Sequence, residues 1–540
     1  MSPKPSIFTK LFSFGLGFLA LPLPGQFLAG TTAHAQYLAS PKDYVRPDEL
    51  RSSDWVYQQV ASLVEQQGCV NASSQVFLSG SGRSVTRLEA AAAVYECLQK
   101  QTVQTNLIKA LQNELQTELN LIASKTAAIE QKTGELEAML FSPTTRLRGE
   151  ASFMLGGVSY LGDVSANGVG VSPLLPRQDA FNFIYSIRLG LNTSFTGKDL
   201  LFTQLRSGNS SASPFNTFNP STPWFTSTVP LAALDRAFAP NGGNNVVNIE
   251  RIYYDFPIGK NWKATLAPKI MDMGLWGTYP SAYGVRGDYI LDYFSSFGTP
   301  GVYNKAVGSA LGLTWHQRPG WGQRSWLAHV HYLAINAADG GSGGIGRNQS
   351  MGNIAAQFGY QAPQYNITLG YRWGQNGTNF LRGTDFAAAN QWSMPYGTRA
   401  NSSSFALNGY WTPKQRGWIP SISAGWGLNL LDNPGIYSDT PGAATVSASQ
   451  SWMTGLQWDN LTGIHDVLGF AVGQPTFATA LRNGTTPDDG NYAMELFYRY
   501  PVSDHINITP AIFYLSRPFG QLTNGSFGLF GAVVQTNLVF

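Results

Sequence analysis

From Arg146 to Phe540 the chain alternates apolar and polar residues with a period of two, segment after segment. Such a period puts successive side chains on opposite faces of a strand. Tyr492, Met494, Leu496, Tyr498 and Tyr500 form one face of such a segment, and Ala493, Glu495, Phe497 and Arg499 the other. Phe181, Phe183, Tyr185, Ile187, Leu189 and Leu191 oppose Asn182, Ser186, Arg188 and Asn192 in the same way. Sixteen such segments can be counted, the first near 148–157, the thirteenth near 466–472 and the last at 530–540. The gaps between them alternate, long then short. Long loops at one end and tight turns at the other are what an antiparallel membrane barrel needs, and an even strand count closes the sheet with no free edge. The expected fold is an all-β transmembrane barrel of about 16 antiparallel strands over 146–540, with lipid on its apolar face and a polar lumen.

Composition agrees. Charged residues make up 12% of the 540, about half the share of about 25% usual in soluble proteins. With 43% hydrophobic residues and a net charge of +3, the chain is not disordered, and nucleic acid is a poor partner for it.

Residues 1–35 carry the features of an export signal: Lys4 and Lys10, an apolar stretch broken by Pro22 and Pro24, and Ala33-His34-Ala35 as a small-x-small cleavage site. No other segment approaches the ~18 consecutive apolar residues of a membrane helix. Any membrane crossing must therefore be made by strands. Cys69 and Cys97, the only two cysteines, are expected to form a disulfide in an oxidising compartment.

Residues 36–100 read as a small helical module. Asp54 caps a helix carrying Trp55, Val56, Val60, Leu63 and Val64, and Thr86-x-x-Glu89 is a capping box opening a second helix. Residues 101–142 then read as one helix, with Ile108, Leu115, Ile122, Ile129 and Leu136 seven apart and Leu119, Thr126, Thr133 and Leu140 on the partner seam. A bare apolar seam predicts self-association, and Ser142-Pro143 ends the helix.

Asp54-Trp55-Val56-Tyr57 and Thr86-Arg87-Leu88-Glu89-Ala90 resemble an S-layer homology motif, although Asn71 to Phe77 replaces its usual central turn. That resemblance implies binding to peptidoglycan-linked polysaccharide, with Asp54, Trp55 and Arg87 as the glycan contacts. The reading of Trp55 as core and of Thr86 and Glu89 as caps alone stands beside it. The barrel, its segments Glu495–Tyr500 and Ile506–Pro510, and its terminal Phe540 resemble the carbohydrate-selective (OprB-type) porins. The order of signal, S-layer homology domain, coiled coil and barrel resembles the major outer-membrane porins of cyanobacteria, many of them labelled iron-uptake porins. The resemblance implies passive passage of small hydrophilic solutes, inorganic ions including iron or sugars, through a homotrimer in the outer membrane. The N-terminal module would then lie in the periplasm.

Strict alternation puts Arg148, Arg188, Arg206, Arg251, Lys263, Lys269, Arg372 and Arg499 in the lumen, against Glu150, Asp255 and Glu495. The third long loop, Met273 to Ala306, holds Asp288 and Asp292, with Asp272 at its edge. An acidic loop facing a basic wall would set a transverse field across a constriction. Trp276, Tyr279 and Tyr283 of that loop either stack on sugars or form its own core. His329 and His331 share one lumen face, but two imidazoles without a carboxylate partner make a poor metal site. No cofactor is expected. An enzyme is disfavoured because six histidines show no triad pattern. A structural tether with a plugged barrel is the competing reading.

Overall fold

The structure, a computed structural model, describes residues 49–50, 54–67, 85–100, 106–120, 122, 144–162, 180–216, 229–284, 287–317, 324–376, 382–389, 401–415, 417–432, 446–482, 484–522 and 527–540. The expected signal and the second half of the expected coiled coil lie outside them.

Sixteen antiparallel strands form one closed ring. In chain order they are β1 (Thr145–Leu161), β2 (Asn182–Thr193), β3 (Leu200–Gly208), β4 (Asn248–Ile258), β5 (Trp262–Met271), β6 (Val307–His316), β7 (Ser325–Ala334) and β8 (Gly352–Ala362). They continue as β9 (Tyr365–Gly374), β10 (Asn401–Trp411), β11 (Ser421–Asp432), β12 (Val446–Asp459), β13 (Val467–Leu481), β14 (Tyr492–Pro501), β15 (Ile506–Ser516) and β16 (Gly528–Val539). Each pairs with the next, and β16 returns to β1 from Gly528↔Leu161 to Val539↔Glu150. Past the last pair, Phe540 exchanges backbone hydrogen bonds of 2.6 and 2.9 Å with Gly149. Its ring covers that glycine, where a Cβ would come within 2.1 Å of the ring.

Two faces follow from the alternation. Leu155, Phe358, Leu369, Leu407, Trp426 and Leu496 point outward and are exposed, as lipid-facing side chains must be, while Gln357, Thr368, Ser404, Asn408 and Gln457 point inward. β13 continues well beyond the expected 466–472, through Pro475 to Leu481. Pro475 lacks an N–H, yet it is tolerated because the β13–β14 ladder has already stopped at Gly473↔Ala493.

Before the barrel, α1 (Trp55–Gln67), α2 (Arg87–Lys100) and α3 (Asn106–Glu114) surround a core that includes Val60, Val64, Val94 and Leu111. A two-residue ladder, Glu49–Leu50 with Val85–Thr86, ties the start of the module to α2. The capping box is formed: Thr86 N donates to Glu89 Oε2 (2.9 Å) and Glu89 N donates to Thr86 Oγ1 (3.1 Å). Cys97 is buried on α2 and disulfide-bonded; its expected partner, Cys69, lies outside the described residues. The heptad seam needs a correction at its start. Ile108 and Leu115 are buried in the module's own core, with Leu119 and Ile122 packed against it, so this part of the seam is covered within one chain.

Candidate functional site

The third long loop, L3, leaves β5 at Asp272 and rejoins β6 after Ala306, and Asp272 N donates to Ala306 O (2.8 Å) to close its neck. From that neck the loop folds into the barrel and lies on the wall from β8 to β14. Thr278 N donates to Gln357 Oε1 (3.1 Å) on β8, and Asn408 Nδ2 on β10 donates to Phe297 O (2.8 Å). Ala282 N donates to Ser423 Oγ (2.9 Å) on β11, and Gly284 N donates to Gln457 Oε1 (2.8 Å) on β12. On β14, Glu495 latches the loop: Tyr283 Oη donates to Oε1 (2.7 Å) and Leu291 N to Oε2 (2.6 Å). Gly455 lets the Tyr283 ring lie flat on the wall, because a Cβ there would sit 2.6 Å from it. Trp276 and Tyr283 are buried within a large apolar cluster, with Tyr279 packed against it. These aromatics form the loop's own core.

This docking makes the lumen lopsided. Ser404, Ser451 and Glu495 on the covered wall are at most 1% exposed. On the opposite side Arg188 of β2 and Glu150 of β1 keep 23% and 25% of their side chains open. There the second long loop, L2 (209–247), also turns inward, and its Leu234 bridges to Leu291 of L3. A band of alternating charges results. Arg206 pairs with Glu250 (2.6 Å), and Arg188 lies between Glu250 (3.9 Å) and Glu150 (3.7 Å). Glu150 pairs in turn with Arg236 of L2. Beside it Lys305 bridges Asp235 and Asp292, and Asp292 also meets Arg382 at 2.5 Å. Burial pushes the Asp235 carboxyl up, but the Lys305 ammonium outweighs it and holds the group below the ordinary carboxylate range. The band sets five cations, Arg188, Arg206, Arg236, Lys305 and Arg382, against four anions, Glu150, Glu250, Asp235 and Asp292.

The expected lumen residues therefore take different places. Arg188 and Arg206 join the band, and Lys263 pairs with Asp255 (3.1 Å). Arg251 Nη2 donates to Met271 Sδ (3.7 Å). Arg148 pairs with Glu89 of the helical module at 2.6 Å, at the short-turn end. Arg372 is fully buried on the covered wall. Lys269 departs from strict alternation. A bulge between Ala267 and Ile270 leaves it off the inward row those two define, and it pairs with Ile252. The acidic loop residues do not look across an open gap at a basic wall: Asp288 lies 3.7 Å from Arg499, and Asp292 is neutralised in the band. A field spanning the constriction must arise within the band.

Sequence reasoning missed Glu250, Asp235, Arg236, Lys305 and Arg382. Glu250 is the extra residue of a bulge between Gln204↔Arg251 and Leu205↔Ile249, which lets two successive residues face the lumen. No alternation rule finds that without the register. The other four sit on loops, whose docking no local pattern encodes.

At the module, Trp55 is 41% exposed at the start of α1 and Asp54 O accepts the Gln58 amide (3.1 Å). Arg87 is engaged inside the module, donating from Nε to Glu118 (2.6 Å) and from Nη1 to Glu114 (3.1 Å).

Residues 107–540 match the family model described as carbohydrate-selective porin, OprB family. The chain belongs to that family. It is thus an outer-membrane barrel porin. It is similar to an uncharacterised protein of Nostoc sp., 26% identical over 90% of this chain and 84% of the relative. An uncharacterised protein of Synechocystis sp. is 27% identical over 88% and 87%. The solved OprB of Pseudomonas putida aligns with this porin over 74% of the chain and 94% of that structure, at 11% identity and a TM-score of 0.45.

Proposed function

We propose that this porin passes small hydrophilic solutes by passive diffusion, favouring uncharged ones such as sugars over inorganic ions or iron. The observation that carries the reading is the charge band, open to water beside β1 and β2 yet nearly neutral overall. Paired charges present many hydrogen-bond donors and acceptors to a polyol without the net field that would concentrate one ion. Liposome swelling with mono- and disaccharides tests this: fast swelling that slows with solute size supports it, and no swelling with any sugar overturns it.

The helical module is proposed to hold peptidoglycan-linked polysaccharide through Trp55 and Asp54, since an exposed indole can stack on a sugar face. Full co-sedimentation of a folded Trp55→Ala variant with peptidoglycan would remove that assignment. A homotrimer is proposed by analogy with the porin family, with the heptads that continue at Ile129 and Leu136 as the seam for self-association. The docking of L3 favours a second reading, a plugged barrel acting only as a tether, which predicts no conductance.

A further inference from the structure

The five cations of the charge band are not held alike. Asp235 and Asp292 are matched by Lys305 and Arg382, two anions to two cations. Glu150 and Glu250 are matched by three cations, Arg236, Arg206 and Arg188. The positive surplus of the band therefore lies in this second group, and the distances decide which residue carries it.

Arg206 is saturated. It pairs with Glu250 (2.6 Å) and donates from Nε to Ser186 Oγ (3.0 Å) and from Nη2 to Arg236 O (3.0 Å) and Ala237 O (3.3 Å). Its guanidinium also stands 4.3 Å from the centre of the Phe238 ring. Arg236 pairs with Glu150 and donates to Gly287 O (3.0 Å) and Ser152 Oγ (3.2 Å). Arg188 is left with the far sides of the same two carboxylates, at 3.9 Å from Glu250 and 3.7 Å from Glu150, both beyond hydrogen-bond reach. Arg188 acts on Asp235 as well, but Lys305 acts on that carboxylate more strongly. Every carboxylate near Arg188 thus belongs first to another cation.

Among the described residues the Arg188 guanidinium makes no hydrogen bond, and its Nε and the Glu250 Oε2 that faces it are both buried without a partner. Arg188 is also the most open of the five. Its side chain is 23% exposed, against 17% for Lys305, 11% for Arg382, 8% for Arg236 and 5% for Arg206. That opening lies on the side of the lumen that L3 leaves uncovered. Arg251, which follows Glu250, turns instead to the root of L3, where Nη2 donates to Met271 Sδ (3.7 Å) and Nη1 would lie 3.8 Å from a Cβ at Gly274.

A guanidinium presents its N–H groups as a planar fork that fits two oxygens of a carboxylate or phosphate, a match that a halide ion cannot make. We propose that Arg188 sets the channel's preference among charged solutes, its fork receiving the carboxylate or phosphate group of a small solute in transit. The inference rests on the porin reading and adds to the uncharged solutes the one charged class that the band accommodates.

The test is single-channel recording of the full chain in planar bilayers bathed in potassium chloride. Sodium gluconate, a polyol with one carboxylate, is added to the bath, and glucose serves as its uncharged counterpart. Gluconate is expected to reduce the current at concentrations where glucose reduces it less. In Arg188→Gln, half-block should need about three- to tenfold more gluconate, the loss of one water-exposed charge-assisted contact, and the anion preference in reversal potential should vanish. Arg188→Lys keeps the charge and loses the fork, so it should hold the reversal potential and still weaken the block. Block in either variant equal to that of the natural protein overturns the proposal. Equal block by gluconate and glucose in the natural protein also overturns it, and that comparison stands whether or not the variants fold. Absence of conductance in the natural protein removes the porin reading and this inference with it, whereas open channels with equal block remove the inference alone.

Discussion

Arg87 shows how one residue can resemble a binding contact and still serve the fold. Its guanidinium joins the start of α2 to Glu114, the last residue of α3, and to Glu118 just beyond it. Arg87→Ala leaves Glu118, whose side chain is 5% exposed, with no counter-charge from this side. The variant is expected to destabilise the module by about 1–3 kcal/mol, measured by its thermal unfolding, whereas Trp55→Ala leaves the fold intact and weakens wall binding. Equal loss of stability in both would contradict this division. Asp489 is a second such residue, in the loop after β13. It accepts from Thr384 Oγ1 (2.6 Å), Ala478 N (2.7 Å) and Gln521 N (3.1 Å), so three segments meet on one carboxylate. Burial outweighs those bonds and pushes the group up to about 7, above its unfolded value of about 3.9. The native state therefore binds the proton more tightly. The stability that follows is complete below the unfolded value and is lost as pH rises through about 7. In a pH series of melting temperatures, Asp489→Asn should abolish that decline, and an identical decline in the variant would rule the assignment out.

L3 and the strands it covers were legible to different degrees. Period-two alternation located all sixteen strands, because each must present one face to lipid and the other inward. It failed where the backbone departs from period two: at the bulges that turn Glu250 inward and take Lys269 off the inward row, and at Pro475, where β13 continues with one partner only. The loop's destination was not legible. Its contacts are single hydrogen bonds to residues far away in sequence, such as Tyr283 to Glu495 and Gly284 to Gln457. The glycine at 455 had no reading until Tyr283 was seen lying on it. Gly455→Ala is expected to lift L3 from the wall at a cost of about 1–3 kcal/mol, the range for overpacking. Glu495→Ala removes the latch without adding bulk. Both should broaden the distribution of unitary conductance, and a distribution unchanged from the natural protein in both would show that L3 is held elsewhere.

For the whole molecule, the sequence made the lumen look strongly basic, and the folded chain makes it nearly balanced. The difference comes from Glu250, which a bulge turns inward against Arg206 and Arg188, and from the docked loops, whose Asp235 and Asp292 arrive with their own cations, Lys305 and Arg382. The barrel is continuous and without an edge, and the water-facing members of the band line one side of it. Charges so exposed are screened over about 8 Å at physiological salt. Selectivity among ions should therefore be weak, leaning toward anions by the one surplus cation and growing as salt is lowered. Reversal potentials of single channels in a planar bilayer under a salt gradient address both claims at once. The expected record shows discrete open steps with a small anion preference that increases at low ionic strength. A barrel that gives no steps, or channels that stay cation-selective at low salt, would contradict the account.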